Sequence, residues 1–175
     1  MPRSLVPDRH FTSYRDLTPA ILEADGIRAL LLDVDNTLAP YEQAEPDDAL
    51  RTWLLSLAEA GVRVAFVSNN NEARIALFNR TLGLPAYPHA HKPLRKTTRR
   101  VLSDLGVRAA ETALMGDQIF TDVGTARAAG LARAYTVPPI RDKRDLFTRF
   151  KRLCERPIYH AYRKREAKRE KESTK

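Results

Sequence analysis

Ala29-Leu30-Leu31-Leu32-Asp33-Val34-Asp35-Asn36-Thr37-Leu38 runs four apolar residues straight into two acids. The apolar run reads as a buried strand, and the acids fall at its end. Further on, Thr112-Ala113-Leu114-Met115 is a shorter run of the same kind, followed by Gly116-Asp117-Gln118-Ile119-Phe120-Thr121-Asp122. His91-Lys92-Pro93 lies on the chain between them. Open parallel α/β sheets place their chemistry at the carboxyl ends of strands. Carboxylates gathered there without compensation repel one another, so they imply a bound cation. Hard oxygen ligands suit Mg²⁺, which is held by one or two carboxylates together with substrate phosphate oxygens. The reading is a Mg²⁺-dependent enzyme that handles phosphate.

The rest of the chain supplies strands and helices in alternation. Thr18-Pro19 caps and opens a short helix that Gly26 ends. A strand is expected over residues 29–34. Asp47 and Asp48 begin a helix to about residue 60, whose Leu50, Trp53, Leu54, Leu57 and Ala58 recur at helical spacing. A second strand is expected over 62–67, a helix over 71–82 and a weak strand at 86–87. Pro93 opens a helix to 105, and a strand at 112–115 follows. A helix over 121–129 and a strand over 131–137 complete the body. This alternation predicts an α/β fold: a Rossmann-like parallel sheet with helices on both faces, three layers in all. Between Leu38 and the second strand there is room for one helix and a short connection. Between Lys92 and Asp117 there is room for one more helix and a strand. No cap domain is therefore expected, and a capless site lies open to large substrates that bring their own walls.

Composition sets the outer limits. A chain of 175 residues with 43% hydrophobic content is expected to be one domain with one sizeable core. We place the domain at residues 1–157, with segment 1–28 packed on it, and a basic, partly disordered tail at 158–175. The only cysteine, Cys154, cannot form an internal disulfide, which fits a reducing compartment. No apolar stretch approaches the ~20 residues that span a bilayer, and the N-terminus has no apolar core of a secretory signal. A cytoplasmic protein is expected. The net charge of +8 is carried by residues 141–175, where fourteen Lys or Arg face six Asp or Glu, while the preceding 140 residues are neutral. Such asymmetry points to an anionic partner or to a solvated, solubilising helix.

In the site, Asp33 can attack phosphorus and form an aspartyl-phosphate. Asp35, two residues on, would point the same way along an extended strand and act as acid, then base. Ser68, at the end of the second strand in Val67-Ser68-Asn69-Asn70-Asn71, offers a hydroxyl to phosphate, and Asn69 joins it as a substrate-binding residue. The helix starting near Asn71 adds its positive end. Lys92 supplies a compact positive charge for phosphoryl oxygens and the developing intermediate. Asp117 completes the Mg²⁺ site, and Asp122 holds a metal-bound water or orients Lys92.

The order Asp33-x-Asp35-x-Thr37, Ser68, Lys92, Gly116-Asp117-x-x-x-x-Asp122 resembles the four motifs of the haloacid dehalogenase-like (HAD) phosphatases. The fuller strings resemble the YqeG-type group of subfamily IIIA, itself similar to mitochondrial phosphatidylglycerophosphate phosphatases. That resemblance runs from about Leu5 to Arg156. It implies Asp33 as nucleophile, Asp35 as acid/base, and Mg²⁺ held by the Asp33 carboxylate, the Asp35 main-chain oxygen and Asp117. Asn36 stands where many relatives carry glycine and matches the subgroup.

The resemblance implies phosphatidylglycerophosphate as substrate, hydrolysed to phosphatidylglycerol at the inner membrane face. Other readings are a phosphatase of phosphoproteins or of nucleic-acid ends, and a non-catalytic RNA- or ribosome-binding module. In the tail, Leu146, Phe147, Phe150, Leu153 and Cys154 recur at helical spacing, which reads as a packed helix or an amphipathic basic surface helix. Pro157 is expected to interrupt it. Ile158, Tyr159 and Tyr162 then precede Arg163-Lys164-Arg165, a mixture that suits an anionic leaflet and equally suits RNA.

Overall fold

Along β2 (Ala29–Leu32), Leu30 and Leu32 enter one apolar cluster and Leu31 enters another, as the two-residue period of a strand requires. The split recurs in β3 (Arg63–Val67), where Val64 and Phe66 oppose Ala65 and Val67. It recurs again in β5 (Thr112–Gly116), where Ala113 and Met115 oppose Leu114. One sheet thus divides two cores. The structure, a computed structural model, describes residues 4–141 and 146–173.

The sheet is six-stranded and parallel throughout, in the order β1-β6-β5-β2-β3-β4. Here β1 is Arg9–His10, β4 is Ala86–Tyr87 and β6 is Arg133–Thr136. Three helices cover one face: α1 (Pro19–Ala24), α2 (Asp48–Glu59) and α3 (Glu72–Asn79). Each begins with a side-chain cap, from Thr18, Asp47 and Asn71 respectively, which satisfies an amide the helix leaves open. Their buried Leu22, Leu50, Trp53, Leu57, Ile75 and Phe78 fill the first core. On the other face lie α4 (Arg95–Leu105) and α5 (Gly124–Ala129), which contribute Val101 and Ala126 to the second core. The result is the predicted three-layer α/β fold, and residues 39–47, between β2 and α2, hold only loop, with no cap.

Several boundaries differ from the sequence reading. Strand β2 stops at Leu32, because the chain folds back at once: Leu38 N–H donates to Val34 O at 2.9 Å and Asn36 N–H to Ala39 O at 2.8 Å. Helix α4 starts at Arg95, since Leu94 N–H donates to His91 O (2.8 Å) and closes a turn around Pro93. A five-residue π-helical turn, Ile119–Val123, precedes α5. β1 was not expected, and it joins the sheet edge through backbone bonds such as Phe11 N–H to Thr136 O (2.9 Å).

The tail departs furthest from expectation. A single helix, α6 (Leu146–Ser173), runs through Pro157 without interruption, so the expected boundary at 157/158 falls inside it. Its inward side is set by Glu155, buried with Oε1 accepting from Ile119 N–H at 2.8 Å. Ile158 and Tyr159 pack against the second core. Tyr162 Oη accepts from His10 N–H at 3.1 Å, and Arg165 Nη2 donates to Asp8 O at 3.1 Å. Residues 158–173 continue this helix, and Tyr162 and Arg165 tie it to the N-terminal segment. Leu153 and Cys154, read as packed, are exposed. They lie off the side defined by residues 155, 158, 159 and 162. The expected apolar positions Leu146, Phe147 and Phe150 lie outside the described side chains, and residues 174–175 outside the described chain. Among the described residues, no helix is long and apolar enough to cross a membrane.

Candidate active site

Leu32 of β2 is level with Phe66 of β3 and Met115 of β5. Asp33 follows Leu32 directly, while Ser68 and Asp117 each lie two residues beyond their level partners. Three adjacent strands thus deliver Asp33, Ser68 and Asp117 to one carboxyl edge of the sheet. Asp33 N–H donates to Met115 O at 3.0 Å, which carries the pairing one step past the strand. Asn36 has φ 63°, a left-handed conformation that asparagine tolerates better than most residues. That turn keeps the loop tight behind Asp33.

Lys92 reaches the same edge from the segment after β4. Its Nζ lies 2.9 Å from Asp33 Oδ1 and 2.6 Å from Asp122 Oδ1, and all three side chains are buried. Burial alone would lower the ammonium, but Asp122 and Asp33 more than offset it and raise it above its usual value. Asp33 responds oppositely. Burial, and then the like charges of Asp122 and Asp117, outweigh Lys92 and push its carboxyl up to about 7.

Asn69, expected to bind substrate, is paired with the Lys92 backbone. Its Oδ1 accepts from Lys92 N–H at 2.6 Å and its Nδ2 donates to Lys92 O at 3.2 Å. Ser68 is buried, and its Oγ accepts from Asn70 N–H at 3.1 Å.

Asp122 owes its position to the π-helical turn and to Gly116. Its Oδ2 accepts from Gln118 N–H at 3.0 Å while its own N–H donates to Gln118 O at 2.9 Å. The carboxylate lies so close over Gly116 that a Cβ there would stand 2.6 Å from Asp122 Cβ and closer still to the carboxylate. Only glycine fits.

Asp35 does not converge with the others. Expected to point alongside Asp33, its carboxylate is held by partners of its own, since the strand has already ended. Arg74 Nη2 lies 2.9 Å from Oδ1, and Asn70 Nδ2 donates to Oδ2 at 2.7 Å. Arg74, from the first turn of α3, is largely buried and stacks over the rings of Phe78 (5.1 Å) and Tyr41 (5.8 Å). Sequence reasoning missed both Arg74 and Asn70. The Asn69-Asn70-Asn71 string carried the signal for Asn70, whereas nothing in the spacing marked Arg74.

Asp33, Asp117 and Asp122 are buried and offer carboxylate oxygens that all lie within 4.8 Å of one another. One ammonium faces three carboxylates, so the ionised set keeps an excess of negative charge. All the donors are hard oxygens and no thiolate is near, which fits a divalent cation of the Mg²⁺ type. The Asp35 carboxylate stands outside this trio.

A parallel sheet whose central strand runs into a buried aspartate, bridged by lysine to Asp122 in the acidic loop after the next strand, defines a hydrolase of phosphoryl-transfer type. A family model for haloacid dehalogenase-like hydrolases matches residues 15–130, from the segment before α1 to the end of α5, and takes in every candidate residue. The chain is 30% identical over 165 residues to the Bacillus subtilis (strain 168) protein named "Probable phosphatase YqeG", covering 94% of this chain and 95% of that one. It is 25% identical over 147 residues to the chloroplastic phosphatidylglycerophosphate phosphatase 1 of Chlamydomonas reinhardtii, covering 79% of this chain. It spans about half (53%) of that relative's length. The cobalt-bound deoxy-D-mannose-octulosonate 8-phosphate phosphatase of Haemophilus influenzae shares the fold, with TM-score 0.50, 20% identity, and 64% and 69% of the two chains covered. The chain belongs to the haloacid dehalogenase-like hydrolase family, as a phosphoric monoester hydrolase.

Proposed function

We propose that this chain is a Mg²⁺-dependent phosphatase that works through an aspartyl-phosphate on Asp33, with phosphatidylglycerophosphate as its substrate. The observation that carries the reaction is Lys92 Nζ set between Asp33 and Asp122 in a buried carboxylate cluster.

In this reading an Asp33 oxygen attacks phosphorus as the bond to the alcohol oxygen breaks, and Asp35 gives that oxygen a proton. Water then attacks the aspartyl-phosphate, Asp35 takes the water's proton, and inorganic phosphate leaves with Asp33 restored. Lys92 balances charge on Asp33 and on the phosphoryl oxygens throughout. Asp122 fixes Lys92, and Ser68 donates its hydroxyl to phosphate. Asn69 supports the reaction through the Lys92 backbone. Asp33, the Asp35 main-chain oxygen and Asp117 would hold Mg²⁺, and its charge would lower the repulsion between nucleophile and phosphate.

The substrate rests on the likeness to the algal phosphatase, on the capless fold and on the basic α6. A peripheral position on an anionic membrane face follows from the same features. The test is phosphate release from phosphatidylglycerophosphate, phosphopeptides and end-phosphorylated oligonucleotides, with and without EDTA. The lipid should be turned over fastest, and only with the metal present. Preference for either other class would replace the lipid reading.

A further inference from the structure

Between the segment after β6 and the middle of α6 runs a groove of about 710 Å³, within the size range of small-ligand sites. Pro138 and Pro139 line it from the β6 side, and Arg156, Tyr159, His160 and Arg163 from α6. The groove adjoins the candidate active site through the backbone. Val137 N–H donates to Gly116 O at 3.1 Å, and Ile140 N–H to Asn36 O at 2.9 Å. The two prolines are therefore tethered at one end beside Asp117 and at the other beside Asp35. The Glu155 bond to Ile119 N–H ties α6 to the same acidic loop.

Charge in the groove is one-sided. Arg156, His160 and Arg163 are exposed and fall at i, i+4 and i+7, which places them on one face of α6. His10, part of the same lining, has its imidazole pKa lowered first by burial and then by the positive Arg163 close by. Among the described residues, the one acid in the lining is Glu155, buried with its carboxylate drawn onto the Ile119 amide. The opposite wall, Pro138-Pro139, offers carbon. A cationic helix face across from an apolar wall, joined to the acidic site by the bonds of Val137, Ile140 and Glu155, matches an amphiphile with a second anionic group.

The geometry points to a substrate subsite in this groove: Arg156 and Arg163 hold the phosphodiester of the lipid bisphosphate, and Pro138-Pro139 pack against its glycerol carbons, while the terminal monoester meets Asp33. This rests on the substrate reading given above, and names the residues that would select a lipid bisphosphate over other phosphate monoesters. A monoester with no second phosphate leaves the two arginines unused.

The test compares the full chain with Arg156→Gln/Arg163→Gln and with Arg163→Gln alone. The probes are phosphatidylglycerophosphate in mixed micelles, its deacylated headgroup glycerophosphoglycerophosphate, and p-nitrophenyl phosphate. The double variant should lose about tenfold or more in kcat/KM on both bisphosphates, through KM, the scale of losing a charge-assisted hydrogen bond. The single variant should lose less, and all three proteins should match on p-nitrophenyl phosphate, which also reports intact folding. No change on the bisphosphates, or an equal loss on all three probes, would overturn the subsite. A loss on the lipid alone, with the headgroup unaffected, would overturn it in favour of general attraction to the micelle surface. If the unaltered chain hydrolyses p-nitrophenyl phosphate but neither bisphosphate, the substrate reading fails first and the subsite falls with it.

Discussion

Arg74 grips Asp35 from the first turn of α3, with Nη2 2.9 Å and Nε 3.1 Å from the same carboxylate oxygen. Two aspartates separated by one residue therefore have opposite surroundings. Asp33 is buried among like charges beside Lys92, whereas Asp35 has donors on both oxygens. In the proposed mechanism Lys92 and a bound cation would keep Asp33 ionised for attack, while Arg74 and Asn70 hold Asp35 in place for proton transfer.

Arg74 is thus a positioning residue for Asp35, and its effect depends on the leaving group. Arg74→Ala should slow an alkyl phosphate, which needs a proton on its leaving oxygen, by roughly 10²-fold. A p-nitrophenyl ester, whose leaving group needs little help, should slow far less. Arg74→Lys should recover part of the loss, and adding Asp35→Asn to Arg74→Ala should cost little more, since the two act as a unit. Steady-state kinetics across a series of leaving groups measures this, and a uniform loss would mark Arg74 as purely structural.

Gly116→Ala should be disabling despite its small size. The new Cβ would overlap the Asp122 side chain and displace it from Lys92. Overpacking of this kind costs about 1–3 kcal/mol, read by chemical denaturation. Activity should fall more steeply than stability, approaching that of Asp122→Ala.

Metal affinity should depend on pH through Asp33. In the metal-free protein its carboxyl is pushed up to about 7, so below that pH a proton must leave before the carboxylate can bind a cation. Apparent Mg²⁺ affinity should therefore rise with pH by up to roughly tenfold per unit below pH 7 and level off above it. Calorimetry in buffers of different ionisation enthalpy should detect about one proton released at pH 6 and less at pH 8. Asp33→Asn should abolish the release.

Cutting the chain after Pro157 should destabilise the body. It removes Ile158 and Tyr159 from the second core and Tyr162 from the His10 amide. The loss of partly buried apolar surface is on the order of 2 kcal/mol, measurable by denaturant unfolding. Unchanged stability would return residues 158–175 to the role of an independent tail.

The parts of this molecule that were legible in the sequence were those whose cause is local. β2, β3 and β5 are apolar at nearly every position because both faces of the sheet are covered. Thr18, Asp47 and Asn71 announce helix starts because capping is a one-turn interaction. Asp33, Lys92, Asp117 and Asp122 could be read because each lies next to such an element. β1 could not be read, since Arg9 and His10 have no apolar pattern and their partners in β6 are distant in sequence. Pro157 was misjudged because its local cost in a helix is offset by tertiary ties from Glu155, Tyr159, Tyr162 and Arg165, distant in sequence from their partners. Asp35 was misdirected for a similar reason. Its orientation depends on Arg74, brought near by the packing of α3.

The central claim is that Asp33 becomes phosphorylated during turnover. The most direct measurement is an acid-quenched single turnover with p-nitrophenyl phosphate and Mg²⁺, followed by peptide mass mapping. A phosphoryl adduct should form before free phosphate accumulates, be labile to hydroxylamine, and map to Asp33. It should be absent from Asp33→Asn, which should also be inactive. Full turnover by Asp33→Asn, or turnover of the native chain with no adduct on Asp33 at any time, would contradict the account.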